Sequence, residues 1–348
     1  MGEDEVPDEI RRAAAKVINR KEASTGLVGE EATGPEPVTV LSQPSVVCVP
    51  IAGQEMGSGA LCVVTGPPTP PLIERLNMVA AIIAARAERD YGRREKVEIR
   101  RIKYDLEVAS AIQQRLQPIS PKLVGWEIAA NSEQMFGLGG DYYDFIQRKK
   151  DGRLVVAVGD VSGKGLGAAL VMVLLRTVVQ MQSHAGSHPD ENMDEINLNL
   201  FENTPSHMFA TLFLAHINLR NDLLTYCNAG HNPPILVRRD GTAERLETGG
   251  VPAGTFPGAF YEEAVVSISP GDVLVIYTDG YSEAVNDEQE QFGDLRLAEL
   301  VQENREKSAP ELLQLVEELL KTFTGDEPPT DDRTLVILKR VVEESAGS

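Results

Sequence analysis

Residues 155–170 read VVAVGDVSGKGLGAAL and contain the features that decide the fold. Branched apolar residues end abruptly at Gly159 and Asp160, which indicates a buried strand. Glycines at 163, 165 and 167 then mark a turn, and the apolar residues around and after them are typical of a core helix. The stretch therefore predicts strand, tight turn and helix, with the Asp160 carboxylate at the exposed end of the strand.

Three further aspartates lie at comparable strand ends: Asp141 in GLGGDYYDFI, Asp279 in VLVIYTDGYSEA and Asp331 in PTDDRTLVIL. Carboxylate oxygens are the ligands that hard divalent cations prefer. Zinc would require histidine or thiolate ligands, and the histidines and cysteines of this sequence lack the spacing of such a site. The four carboxylates therefore predict a site for Mg²⁺ or Mn²⁺ ions if the strand ends converge.

The 348-residue chain is long enough for two domains, and a hydrophobic content of 42% supports a real core. Its net charge of −20 makes nucleic acid an unfavourable partner. The first residues are acidic and lack an apolar signal segment, and the longest uninterrupted apolar run, 168–175, is too short to span a bilayer. We therefore expect a cytoplasmic protein without a membrane span. The odd number of cysteines (Cys48, Cys62 and Cys227) predicts buried thiols and not a disulfide framework.

Residues 1–90 predict a small α+β module. Helical spacing covers 8–21, and short strands are expected at 38–41, 45–51 and 59–65. The pattern SVVCVPIAGQEMGSGALCVVT, followed by a predicted helix over 72–90, resembles the C-terminal half of a GAF sensor domain. Because the front strands of such a domain are missing, a structural cap or dimerisation module is an equal alternative.

Residues 91–117 predict a helix whose core positions recur at alternating spacings of three and four. These positions are Ile99, Ile102, Leu106, Ala109, Gln113 and Leu116. Such a heptad seam favours a parallel coiled-coil homodimer, with packing on the same domain as the alternative. Pro118 and Pro121 end the predicted helix.

From residue 118 to residue 341 strands predominate. They are predicted at 126–130, 142–147, 154–159, 210–218, 223–228, 235–239, 264–268, 273–277 and 334–339. Helices are predicted at 165–183 and 191–203, and as a pair within 294–323. Short connections favour antiparallel pairing, so this order predicts an α+β fold in which helices flank two mostly antiparallel sheets, an αββα sandwich.

Six motifs between residues 91 and 340 resemble, in family order, the SpoIIE-type, RsbU-like branch of the PPM (type 2C) serine/threonine protein phosphatases. They are GGDYYDF (139–145), VGDVSGKGLGAAL (158–170), FATLF (209–213), YCNAGHNPPILV (226–237), GDVLVIYTDGYSEA (271–284) and DDRTLVIL (331–338). The resemblance implies the αββα sandwich and hydrolysis of phosphoserine or phosphothreonine with two Mn²⁺ or Mg²⁺ ions. It also implies a phosphorylated STAS-domain anti-anti-sigma substrate in a partner-switching pathway.

The same resemblance implies which residues hold the ions. Asp160 would bridge both ions together with the backbone carbonyl of Val161. Asp141 would bind the second ion, and Asp279 and Asp331 would bind the first. A water molecule activated by the two ions would attack the phosphoryl group, so no protein nucleophile is required.

Four more residues are candidates for lesser roles at this site. Asp332 is a second candidate for the position of Asp331, and Gly280 would let the backbone turn close to the ions. Asp144 and Glu283 are candidates for outer ligands through water, with simple solvation as an equal alternative.

Two positions bear on proton transfer. Ser162 stands two residues after Asp160, where eukaryotic relatives have a histidine that is proposed as general acid, so the resemblance leaves the proton donor unassigned. It also leaves unassigned the arginine that binds phosphate in those relatives. His231 in NAGHNPP is interpreted as stabilising a turn, with a catalytic role as the alternative.

Three other functions compete with a metal-dependent protein phosphatase. The GDVSGKG segment suggests a P-loop, but its glycines are one residue too close and Lys164 is followed by neither serine nor threonine. A non-catalytic, acid-rich scaffold that binds a sigma-factor regulator in the same pathway is the second competing function. A small-molecule phosphomonoesterase is the alternative enzyme.

Overall fold

The structure is a computed structural model that describes residues 11, 14–15, 38–40, 45–52, 58–65, 69–135, 137–185, 188–325, 327 and 329–342. The chain divides into two compact units, Met1–Tyr104 and Asp105–Ser348. This division falls inside a helix, and the functional domains expected at 1–90, 91–117 and 118–341 stay predictions.

The described part of the first unit contains a three-stranded antiparallel sheet. Its strands are β1 (Val38–Val40), β2 (Ser45–Ala52) and β3 (Ser58–Thr65), paired in that order. The three predicted strands are thus present. Val49 of β2 packs with Leu76 and Ala80 of the following helix in a small apolar core. The helix predicted over 8–21 lies largely outside the described residues.

The prediction of buried thiols is wrong for two of the three cysteines. Cys48 and Cys62 stand opposite each other in the β2–β3 register and form a disulfide. An odd cysteine count excludes complete pairing but not a single bridge, and the sequence does not show which residues face each other across a hairpin. Cys227 is free and buried, as predicted, and burial raises the pKa of its thiol to about 12.

Helix α1 (Pro70–Gln114) is one continuous element of 45 residues. The predicted helices over 72–90 and 91–117 are therefore a single helix, which ends before Pro118. The seam residues Ile99, Ile102 and Leu106 are 57%, 55% and 39% exposed in the single chain.

Two sheets form the second unit. The front sheet has the order β11-β8-β7-β6-β5, with β12 also paired to β8, and the back sheet has the order β10-β9-β13-β14-β4. The strand bounds are β4 (Trp126–Glu133), β5 (Tyr142–Arg148), β6 (Arg153–Val161), β7 (Ala210–Asn218), β8 (Leu223–Ala229), β9 (Ile235–Val237), β10 (Ala243–Arg245), β11 (Gly249–Gly250), β12 (Ala264–Ser267), β13 (Val273–Tyr277) and β14 (Arg333–Arg340). The pairs are antiparallel except β11 with β8. Every strand predicted after residue 118 is present.

Helices cover the outer face of each sheet. Helices α2 (Leu166–Ala185) and α3 (Pro189–Asn203) share an apolar core with the front sheet. Helix α4 (Asp279–Ser282) is one short turn, and α5 (Gly293–Asn304) and α6 (Ala309–Thr324) pack on the back sheet. Residues such as Val156, Phe213 and Ile276 fill the space between the two sheets. The predicted αββα sandwich is confirmed.

Helix α2 has the length and apolar composition to cross a membrane over Leu166–His184. The sequence criterion for a membrane span, an uninterrupted run of apolar residues, was therefore too strict to identify this helix. Within this domain the helix packs on the front sheet, where Leu175 and Val179 are completely buried. Its apolar composition is explained by this place in the core.

Strand order places the aspartates at corresponding ends of the two sheets. Asp141 directly precedes β5 and Asp160 lies near the end of β6, and these strands pair with Tyr142 opposite Gly159. In the back sheet, Asp279 comes two residues after β13 and Asp331 comes two residues before β14. Each antiparallel pair therefore presents two carboxylates at one edge.

Candidate metal centre

The four predicted aspartates come together with Asp332 in one electrostatic cluster. Burial and the nearby charges of Asp279, Asp331 and Asp332 raise the pKa of Asp160 to about 8. Carboxylates that repel one another in this way are stabilised by a cation held between them. The front-sheet and back-sheet aspartates therefore lie close enough to act on one another through their charges.

Asp141 is the most deeply placed member of the cluster. Burial and the charge of Asp160 raise the pKa of its carboxyl group well above the usual range. The Thr278 hydroxyl donates a hydrogen bond of 2.8 Å to Asp141 Oδ2. Thr278 Oγ in turn accepts the backbone N–H of Thr334 at 2.9 Å, so a side chain next to the back sheet orients a predicted ligand next to the front sheet.

Gly140 makes room for the predicted backbone ligand. A Cβ atom on Gly140 would lie 2.7 Å from the Val161 carbonyl oxygen and 3.3 Å from Asp160 Oδ1. The Val161 N–H also donates to the Gly140 carbonyl at 3.3 Å. Only glycine lets the chain before Asp141 pass this close to the Asp160–Val161 backbone.

Gly280 has a similar role beside Asp279. A Cβ atom at this position would lie 2.0 Å from the backbone carbonyl oxygen of Asp332. The prediction that Gly280 permits a close backbone turn agrees with this geometry. Burial, followed by the charges of Asp331 and Glu283, raises the pKa of Asp279. Glu283 itself is exposed at the end of α4, and its role as an outer ligand stays a prediction.

The adjacent aspartates 331 and 332 have different surroundings. The Asp331 side chain is 40% exposed, and its Oδ2 lies 2.9 Å from Lys164 Nζ. Asp332 is buried, and its two carboxylate oxygens accept the backbone N–H groups of Met135 at 2.8 Å and Gly140 at 2.9 Å. The Asp331 carboxylate is therefore the more accessible of the two to an ion, whereas Asp332 fixes the loop that carries Asp141.

Gln113 holds the same loop from the end of helix α1. Its side-chain Nε2 donates to the Gly139 carbonyl at 2.7 Å, and its Oε1 accepts the Gly139 N–H at 3.1 Å. The heptad spacing predicted Gln113 only as one of the core positions of the seam. A buried polar residue in a heptad seam is the one signal that could have pointed to a specific partner.

Asp144 lies in a separate network on the α2 side of the front sheet. Its carboxylate accepts hydrogen bonds from Gln180 Nε2 at 2.8 Å and from the Phe145 N–H at 2.8 Å, and Arg176 Nε lies 3.8 Å away. These partners occupy the carboxylate oxygens, so we do not retain Asp144 among the proposed outer ligands.

Ser162 and His231 both bond to residues at or just before the start of β7. The Ser162 hydroxyl accepts the Phe209 N–H at 2.9 Å, and the Ser162 N–H donates to the Phe209 carbonyl at 2.9 Å. Burial lowers the pKa of His231 to about 4, and its Nδ1 lies 2.9 Å from Thr211 Oγ. A buried, neutral histidine bonded to a strand residue agrees with the turn-stabilising interpretation.

Residues 150–341 match the family model described as Stage II sporulation protein E (SpoIIE). The chain belongs to the SpoIIE family of PPM phosphatase domains. The match begins at residue 150, so the GAF-like resemblance of residues 1–90 stays a prediction. Five of the six motifs lie within the matched residues, and GGDYYDF (139–145) lies just before them.

Two curated relatives of the SpoIIE-family chain are similar over most of its length. Phosphoserine phosphatase RsbU of Bacillus subtilis is 31% identical over 247 residues, which cover 69% of this chain and 71% of RsbU. Protein IcfG of Synechocystis is 31% identical over 264 residues, which cover 68% of this chain but 41% of IcfG. The chain thus spans less than half of the length of IcfG.

Solved structures show the same fold. The PP2C domain of SiaA from Pseudomonas aeruginosa aligns with a TM-score of 0.63 at 21% identity, covering 70% of this chain and 98% of that domain. The RsbU and RsbW domains of Rv1364c from Mycobacterium tuberculosis align with a TM-score of 0.55 at 30% identity, covering 62% of this chain and 60% of that structure. The SpoIIE-family assignment and the αββα sandwich therefore agree.

Proposed function

We propose that this protein is a metal-dependent serine/threonine protein phosphatase that acts on a phosphorylated STAS-domain protein in a partner-switching pathway. The convergence of the predicted aspartates at one edge of both sheets is the observation that carries this proposal. The substrate class is supported by similarity to RsbU, which is named a phosphoserine phosphatase.

The residues present fit two Mn²⁺ or Mg²⁺ ions. The donor set consists of carboxylate and carbonyl oxygens, which suit hard divalent cations, and the missing side chain of Gly140 opens the backbone next to Val161. Asp141, Asp160, Val161, Asp279 and Asp331 would hold the ions. When bound, two such ions supply an activated water molecule and offset charge on the phosphoryl oxygens.

The chain's own residues hold this donor set in place. Thr278 fixes the rotamer of Asp141 through its 2.8 Å hydrogen bond. Asp332 anchors the backbone at Met135 and Gly140, and Gly280 packs against the Asp332 carbonyl. Such supporting hydrogen bonds orient ligands and tune the affinity of a metal site.

Helix α1 is suited to regulate the site as a dimer. Ile99, Ile102 and Leu106 form an exposed seam on it, and Gln113 farther along the same helix binds Gly139, two residues before Asp141. We therefore infer that a parallel homodimer forms through this seam and that movement of the helix end is passed to the loop before Asp141. Such regulation requires two alternative positions of that loop.

The test is hydrolysis of p-nitrophenyl phosphate by metal-stripped protein to which Mn²⁺ or Mg²⁺ is returned. Activity should require the metal and should be lost in Asp160→Asn, with Asp144→Asn as a control that changes a carboxylate outside the proposed ligand set. Calorimetric titration with Mn²⁺ should detect binding that Asp160→Asn weakens. A wild-type protein that neither binds Mn²⁺ nor hydrolyses the ester would support the scaffold alternative.

The protein substrate is tested separately. A phosphorylated STAS-domain protein should be hydrolysed with a higher kcat/KM than p-nitrophenyl phosphate or free phosphoserine, because it offers contacts beyond the phosphoryl group. Equal efficiency for the small esters would favour the phosphomonoesterase alternative.

A further inference from the structure

Lys164 lies in the turn between β6 and α2, and the proposed ligand set gives it no role. Gly163 and Gly165 on either side have φ angles of 93° and 75°, and a Cβ atom on either would meet open space. Such left-handed conformations are readily available only to glycine. The Gly-Lys-Gly sequence, which fails the Walker pattern, therefore shapes an open turn around a lysine.

The turn directs the lysine side chain to the aspartate cluster. Lys164 Nζ lies 2.9 Å from Asp331 Oδ2 and donates a 2.6 Å hydrogen bond to the Thr330 carbonyl oxygen. The side chain is nevertheless 51% exposed. Lys164 is thus a cation at the rim of the site that solvent, and therefore a substrate, can reach.

The charge of Lys164 reaches three carboxylates of the cluster besides its direct partner Asp331. It opposes the rise in pKa of Asp160, Asp279 and Asp332. An ammonium group has three N–H donors. Asp331 and Thr330 take two of them among the described residues, which leaves one for a ligand.

We propose that Lys164 contacts the phosphoryl oxygens of the substrate and the inorganic phosphate that leaves. This inference rests on the proposed phosphatase function and assigns the phosphate-binding cation that the sequence left open. A phosphomonoester carries a charge of about −1.5 to −2 at neutral pH, so a cation beside the five carboxylates favours its approach in addition to the charge that the two ions would supply. Lysine binds phosphate as a point charge and needs no bidentate geometry.

A purely structural role is the alternative for Lys164. Its two contacts connect the β6–α2 turn with the segment before β14, and loss of this connection would disturb Asp331. A structural role predicts lower Mn²⁺ affinity when the lysine is removed. A phosphate-binding role predicts weaker phosphate binding while Mn²⁺ affinity is retained or increased, because a cation beside Asp331 is removed.

The experiment uses full-length protein and two calorimetric titrations, first of metal-stripped protein with Mn²⁺ and then of Mn²⁺-loaded protein with inorganic phosphate. Lys164→Met is compared with Lys164→Arg and with Lys150→Met. Lys150 is exposed in the turn between β5 and β6, at the opposite end of these strands from Asp141 and Asp160. The KM and kcat for p-nitrophenyl phosphate are measured for the same proteins.

Lys164→Met should weaken phosphate binding and raise KM by about tenfold, the loss of one charge-assisted hydrogen bond, without lowering Mn²⁺ affinity. Lys164→Arg should retain most of the phosphate affinity, and Lys150→Met should equal the wild type. Unchanged phosphate binding in Lys164→Met, or loss of Mn²⁺ and phosphate binding together, overturns the proposal for Lys164 alone. A wild type that binds no Mn²⁺ overturns the proposed function as well.

Discussion

The side-chain amide of Gln113 makes two hydrogen bonds to the backbone of Gly139, one to its carbonyl and one from its N–H. Gln113 lies at the end of α1, and Gly139 is two residues before Asp141. Both groups are buried. The last turn of the helix is therefore connected directly to the loop that carries a proposed metal ligand.

Gln113→Ala should loosen this loop. Loss of both hydrogen bonds leaves buried backbone groups of Gly139 without partners, and about 1–3 kcal/mol is expected for each such group. Amide hydrogen exchange in the segment 137–142 should therefore become at least about tenfold faster. Exchange measured by mass spectrometry on Mn²⁺-loaded protein tests this.

The exposed neighbour Gln114 offers the matched control. Gln114→Ala should leave exchange in segment 137–142 unchanged. Equal exchange in the two variants would show that the Gln113 amide does not hold the loop.

Asp332→Asn should affect folding stability and metal affinity together. The asparagine keeps one acceptor oxygen, but its NH₂ group would face the N–H of Met135 or Gly140. We expect a loss of about 1–3 kcal/mol in the free energy of unfolding and about 10–100-fold in Mn²⁺ affinity. Denaturant unfolding with a chelator present and Mn²⁺ calorimetry measure the two effects.

Asp331→Asn is the comparison for this variant. Its exposed ion pair with Lys164 contributes little to folding, so stability should change by less than about 1 kcal/mol while Mn²⁺ affinity falls. If both variants lost stability equally, the distinction between a ligand and a loop anchor would be wrong.

Metal-stripped protein should become less stable as the pH rises from about 4 to about 8. The pKa of Asp160 is about 8 in the folded chain, against about 3.9 in an unfolded one. Between these values the folded state keeps a proton that the unfolded state has released, so the free energy of unfolding falls with rising pH. Asp141, Asp279 and Asp332 contribute with the same sign because their pKa values are also raised.

Thermal unfolding with a chelator over this pH range measures how the free energy of unfolding changes with pH. Asp160→Asn should have a flatter profile and should exceed the wild type in stability at about pH 8. Parallel profiles for the two proteins would contradict the raised pKa. With Mn²⁺ in excess the wild-type slope should diminish, because the ions take the place of the protons.

Leu106→Asp should shift the protein from dimer to monomer. A carboxylate at a seam position would be buried against its counterpart in a parallel dimer, which is strongly unfavourable. Analytical ultracentrifugation at micromolar concentration measures the shift. Val108→Asp, at an apolar position that is 43% exposed but outside the seam, should leave the dimer intact. Monomeric wild-type protein, or an intact Leu106→Asp dimer, would remove the basis for regulation through this seam.

The strands and the four aspartates could be predicted because both are local signals. Asp160 and Asp279 each follow a run of apolar residues, and the end of such a run marks the end of a strand. The same reasoning could not find the disulfide between Cys48 and Cys62, because it depends on which residues face each other across a hairpin.

The supporting contacts of the site were missed for a related reason. Asp332 binds Gly140 across 192 positions of sequence, and Thr278 binds Asp141 across 137. Neither residue type nor spacing distinguishes Asp332 from Asp331, although one is buried and the other is not. Only the folded arrangement of the two sheets separates the ligand from the anchor.

Because α1 is one continuous helix, the directions of its side chains are fixed relative to one another along its length. At about 1.5 Å per residue, its 45 residues extend over about 68 Å, and each residue advances the side-chain direction by about 100°. One alanine inserted directly after Leu106 would turn Ile99, Ile102 and Leu106 by this angle relative to Gln113, whereas an insertion of seven residues there would nearly restore the alignment. The protein should therefore respond to the phase of an insertion in this helix and only weakly to its length.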